Sequence, residues 1–289
     1  MPIAVITFSF DPLVDLPGDL VVRWQTIALA SIVLAGLLVG AALARRTDLR
    51  ADDLLSIAVG AVPGAVLAGR LGYVIAHPDA FAAGPQALID PGIPGLDLGL
   101  GVVGGILTGA YVASLLGAPI RGWAHTLALP LLVTLGAGKL ALILGGSGQG
   151  LPFDGAWATA FLGPGPWGSL APSLPSHPAQ AYEGVGTLLW ALALTLVVMA
   201  GAFGRRDGRL LLLAVLGWAV VRAAASTTWR DPIAAGALPV AGWLAIAVGL
   251  GALVLLVIAT VAGVRARRRP ASDDHDGPAW PDPETRPKF

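Results

Sequence analysis

The stretch Ser176-His177-Pro178-Ala179-Gln180-Ala181-Tyr182-Glu183-Gly184 opens a long apolar run with an unusual density of polar side chains. Ser176 suits a helix cap and Pro178 a first helical turn. Capping does not explain a glutamine, a tyrosine and a glutamate entering an apolar segment. His177, Gln180 and Glu183 recur every three residues, so a helix here carries them on roughly one face. Lipid would leave that face unsatisfied, so it must point into a bundle or a wet cavity. Three cations, Arg70, Lys139 and Arg222, also lie within apolar runs. Ionisable groups in such places are costly and mark candidate sites. Three cations and one carboxylate brought together would suit an anionic group such as a lipid phosphate. The competing reading is structural: Arg70 and Arg222 snorkel to an interface or pair with Glu183. His77 and His125 read as solvated histidines at span ends.

The elements that must position these residues are membrane spans. The chain is 55% hydrophobic and 12% charged, about half the charged share of an ordinary soluble domain. The deficit is concentrated in seven runs long enough to cross a bilayer, at roughly 25–44, 54–76, 98–117, 123–145, 180–202, 209–226 and 237–262. Arg45, Arg46, Arg50, Arg121, Arg205, Arg206 and Arg209 mark one set of connections, and Arg265, Arg267, Arg268 and Arg269 follow the last run. The connections 77–97 and 146–179 hold no lysine or arginine. The positive-inside rule then predicts an all-α, seven-helix membrane protein with its amino terminus outside and its carboxyl terminus in the cytoplasm. In that topology Arg70, Lys139, Glu183 and Arg222 all fall in the outer third of the membrane.

The sequence divides into an external segment 1–24, a membrane domain 25–262 and a polar, proline-rich tail 263–289, for which disorder is expected. The loop 146–179 carries Phe153, Trp157, Phe161 and Trp167 among glycines and prolines. It reads either as an arm lying along the outer surface or as an ordinary glycine-rich connection. Residues 1–24 lack a basic region and a cleavage site, so no cleavable signal peptide is expected. A formal net charge of +0 argues against nucleic acid as a partner. With no cysteine, disulfides, thiolate metal sites and cysteine nucleophiles are excluded; no cofactor or metal is expected.

Several segments resemble, in order, the motifs of the bacterial prolipoprotein diacylglyceryl transferase family. HPAQAYEG at 177–184 resembles the family's HPxQLYE motif, and AGRLGYVI at 68–75 its G-A-R-[LI]-G-Y-V segment. VVGGILTG at 102–109 resembles FHGGLxG, GAGKLALILGGSGQG at 136–150 lies where G-R-x-G-N-F-x-N-x-E-x-x-G would fall, and WAVVRAAASTTWRD at 218–231 resembles the R-x-x-x-E stretch. The resemblance implies a multi-pass protein of the bacterial inner membrane that moves a diacylglyceryl group from phosphatidylglycerol to the lipobox cysteine of a prolipoprotein. It implies His177, Tyr182 and Glu183 as catalytic residues, with His177 as the remaining candidate base. It implies Arg70, Tyr73, Lys139, Gln180 and Arg222 as binders of the lipid phosphate.

The departures fall on polar motif positions. Val103 replaces the HGG histidine, and Lys139 keeps a charge but loses the arginine fork. Leu142 and Gly145 replace asparagines, Ser147 and Ser226 replace glutamates, and Gln25 stands where a tyrosine is expected. Two alternatives follow: a relative that binds lipid or lipopeptide without transfer, or, from another class, a transporter. No duplicated half supports the latter.

Overall fold

The computed structural model describes residues 5–81, 84 and 95–268. Seven helices are long and apolar enough to cross a membrane: α1 Trp24–Ala44, α2 Asp53–Ala76, α3 Leu98–Leu115, α4 Ile120–Ala141, α5 Ala179–Met199, α6 Arg209–Ser226 and α7 Val240–Arg268. The chain is a multi-pass membrane protein, and each expected span has its helix. α7 runs on past 262 to Arg268 because its basic residues are good helix formers. Residues 269–289 of the expected tail and most of the 77–97 loop lie outside the described residues.

Helices α4, α5 and α6 meet along a buried seam of Ala128, Leu132, Ala191, Leu194, Ala214 and Trp218. α1 packs on α4, α7 on α6, and α2 and α3 form a close pair. The α2–α3 contact depends on Gly64 and Gly104: a side chain on either would strike the other's carbonyl oxygen. Small residues permit this approach in lipid, where dispersion rather than water exclusion holds helices together. Apolar side chains instead cover the outside, with Leu67 72% exposed and Leu38, Leu107 and Ile258 similarly turned outward. Such a surface belongs against hydrocarbon.

The all-helical expectation missed short strands at one end of the bundle. β1 (Ile6–Phe8) pairs in parallel with β4 (Thr159–Phe161), and β2 (Leu13–Leu16) forms a hairpin with β3 (Leu20–Arg23). The hairpin closes through Gly18 and Asp19, both in left-handed conformation, which glycine and aspartate tolerate better than most residues. Pairing of the amino-terminal segment with 159–161 makes the 146–178 loop a packed cap. Phe161 is buried, stacked on Phe8 at 5.1 Å and packed against Trp167 at 4.9 Å. Strands of three or four residues give too few alternations to be visible as a pattern.

Candidate functional site

The capped end of the bundle gathers the end of α2, the start of α3, the ends of α4 and α6 and the start of α5. Arg222, four residues before the end of α6, is 3% exposed. Its guanidinium splits between two carboxylates: Nη1 donates to Glu183 Oε1 at 2.9 Å and Nη2 to Asp97 Oδ2 at 3.0 Å. Lys139 Nζ reaches the other Glu183 oxygen, Oε2, at 2.8 Å. Glu183 is fully buried. Both cations lie over the Trp229 ring, Arg222 at 4.7 Å and Lys139 at 5.5 Å. Burying three of these charges and half-burying the fourth, Lys139, is tolerable only where each finds a partner, and here each does.

Asp97 was not anticipated from the sequence. It stands at the α3 N-cap position, its Oδ1 accepting from Leu100 N at 2.7 Å while Oδ2 holds Arg222. Its own N–H donates to Gly69 O at 2.8 Å. Gly72 makes this possible, since a Cβ there would lie 2.7 Å from Asp97 Cβ. The Gly69-Arg70-Leu71-Gly72-Tyr73 segment is therefore a seat for Asp97. Arg70 Nη1 donates to Gly95 O at 3.3 Å and its guanidinium lies over the Phe81 ring at 4.9 Å. Tyr73 stacks on His77 at 4.3 Å, and His77 Nε2 contacts Asp231 Oδ1 at 3.3 Å. His77 thus has specific partners rather than being simply solvated.

Above the ion cluster lies a cavity of about 310 Å³, lined among others by Lys139, Gln180, Glu183, Arg222, Trp229 and Arg230. Its volume is at the lower end of the range for small-molecule sites. Gln180 is 2% exposed, and neither amide atom has a hydrogen-bond partner among the described residues. Arg230 ties the cap to the end of α6. Its Nε donates to Gly150 O at 2.6 Å, Nη1 to Ser169 Oγ at 3.2 Å, and Nη2 to Gln149 Oε1 at 3.2 Å and Ser176 Oγ at 2.8 Å. Burial lowers its pKa from the ordinary value.

Of the residues singled out by sequence, the structure brings Lys139, Gln180, Glu183 and Arg222 onto this wall. Arg70, Tyr73, His177 and Tyr182 are not among the residues lining it. His177 precedes α5, whose N-cap position is Pro178, so it does not share a helical face with Gln180 and Glu183. Its ring stacks on Phe153 at 4.0 Å, and Nδ1 contacts Tyr182 Oη at 3.1 Å. Tyr182 Oη in turn accepts from Trp157 Nε1 at 2.8 Å. Burial pushes the His177 pKa down. Ser176 is no helix cap; its Oγ donates to Leu174 O at 2.8 Å and accepts from Arg230.

The substituted positions also have definite neighbours. Val103 packs toward Val215, Ala219, Val248 and Ala252 between α6 and α7. Ser226 is buried, donating to Ala223 O at 2.7 Å, with no room beside Gly242 for a larger group at that glycine. Ser147 Oγ donates to Gln25 Oε1 at 2.9 Å.

The family profile for prolipoprotein diacylglyceryl transferase matches residues 12–258. Among similar proteins, the phosphatidylglycerol–prolipoprotein diacylglyceryl transferase of Gluconacetobacter diazotrophicus is 30% identical, over 91% of this chain and 92% of its own. The protein of the same name from Rhodospirillum rubrum is 30% identical over 90% of this chain and 93% of its own. That of Bordetella avium is 28% identical over 86% and 95%.

Proposed function

The chain belongs to the prolipoprotein diacylglyceryl transferase family, and from that premise we propose that it transfers a diacylglyceryl group from phosphatidylglycerol to the lipobox cysteine of a prolipoprotein. The supporting observation is the cavity at the capped end, whose wall joins Lys139, Gln180, Glu183 and Arg222. The protein works in the bacterial cytoplasmic membrane with this end outward, as the basic loops of the opposite end favour. The acceptor is the signal-peptide region of a secreted preprotein.

In the reaction, the cysteine sulfur bonds to the glyceryl carbon that carries the phosphate ester. The carbon–oxygen bond to phosphate breaks, and glycerol phosphate leaves with the electron pair. The thiol proton must then find an acceptor. Val103 offers none, and both Glu183 oxygens face cations. We assign the proton to the leaving phosphate, which balances the reaction without a separate base. Arg222 and Lys139 stabilise that phosphate as charge builds on it. His177 and Tyr182 serve by holding the cap in place, and Arg70 and Tyr73 by seating residues 95–97.

The packing of Val103 and of buried Ser226 against α7 favours a second reading, a relative that holds lipid without transfer. Expression in a bacterium depleted of its own transferase separates the two. Restored lipoprotein maturation supports transfer; full membrane insertion without maturation overturns it.

A further inference from the structure

Two cations and two carboxylates close the Asp97–Arg222–Glu183–Lys139 cluster to zero formal charge. An arriving anion therefore meets little net attraction from Arg222 or Lys139 until existing pairs are exchanged. Asp231 also lines the cavity, but its Oδ1 is turned to His77. Arg230 differs from the other cations on this wall: every oxygen it contacts belongs to a carbonyl, an amide or a hydroxyl, and it has no carboxylate partner among the described residues.

A guanidinium carries five N–H groups. The four contacts leave one N–H on Arg230 Nη1 uncommitted. The same cavity wall holds the Gln180 amide, buried and unpartnered, and Ser169, whose hydroxyl donates to Gln149 Oε1 at 2.6 Å. A charge without a counter-charge and an amide without a partner on one wall define a place where an anion gains contacts without breaking the ion cluster.

Resting on the transferase reading, we propose that Arg230, with Gln180, recognises the phosphate of an anionic lipid first, beside the charge-closed cluster. Arg222 and Lys139 then act later, on the leaving phosphate. Arg230 also staples Gly150 and Ser176, so the test must separate its charge from its role as a staple.

Full-length protein is taken from phosphatidylcholine vesicles containing phosphatidylglycerol, and retained phosphatidylglycerol is measured by native mass spectrometry. Arg230→Gln removes the charge; Arg230→Lys keeps it but loses the fork. Lipid affinity is expected to fall about tenfold to hundredfold in Arg230→Gln and to persist largely in Arg230→Lys. Soluble sn-glycerol 1-phosphate is expected to compete with the lipid in the wild type. Equal loss in both variants makes Arg230 a staple and overturns the proposal. Undiminished binding by Arg230→Gln, or no competition by glycerol phosphate, overturns it while leaving the transferase reading intact. A wild type that retains no phosphatidylglycerol overturns both.

Discussion

Asp97 holds Arg222 with one carboxylate oxygen and the first turn of α3 with the other. One side chain thereby fixes a helix start and the orientation of a buried guanidinium. Asp97→Ala should remove both functions. Loss of the cap costs about 1 kcal/mol, and leaving Arg222 short of a carboxylate brings the total to about 3–5 kcal/mol. Asp97→Asn keeps an oxygen for Leu100 N–H and should lose distinctly less. Denaturation in detergent micelles measures both; equal losses would show that the cap carries no weight.

The proposed orientation makes a simple labelling prediction, because the chain contains no cysteine. Leu170 is 97% exposed at the capped end, and Arg205 lies between α5 and α6 at the opposite end. A cysteine at 170 should react with an impermeant maleimide in intact spheroplasts. A cysteine at 205 should react only after permeabilisation. The reverse pattern inverts the topology.

His177 is held between Phe153 and Tyr182, where burial disfavours its charged form. The unfolded chain binds this proton more readily, at the ordinary value of 6.5. Its contribution to stability is thus present above that value and is lost as pH falls through and below it. His177→Gln should flatten this part of the pH dependence, below the ordinary value of 6.5. Because His177 does not line the cavity, the variant should keep transfer within about threefold, less than the loss usual for a general base. Abolished transfer in a folded His177→Gln protein would instead make it the base.

The seven spans are readable because each is a long apolar run with at most a few charged residues inside it. The shared depth of Lys139, Glu183 and Arg222 was readable for the same reason: helix direction alternates, so depth follows from position. Asp97 was missed because an acid one residue before an apolar run looks like an ordinary cap. Its neighbours Gly69 and Gly72, read only as motif glycines, were the available signal. Arg230 had a signal as well, being a basic residue in a connection at the end where 146–179 has none. The three-residue spacing does not carry through Pro178, where the helix has not yet begun, so His177 lies off the face of Gln180 and Glu183. The β1–β4 pairing and the cap it anchors join residues about 150 positions apart, and nothing local encodes that partnership.

Transfer is measured by incubating purified full-length protein with phosphatidylglycerol vesicles and a lipobox peptide bearing one cysteine. The expected product is a peptide carrying a thioether-linked diacylglyceryl group, with glycerol phosphate released in equal amount. Product should require phosphatidylglycerol and the free thiol, and should disappear in Arg222→Ala. No product, under conditions where the Rhodospirillum rubrum relative modifies the same peptide, would show that this protein does not transfer the diacylglyceryl group.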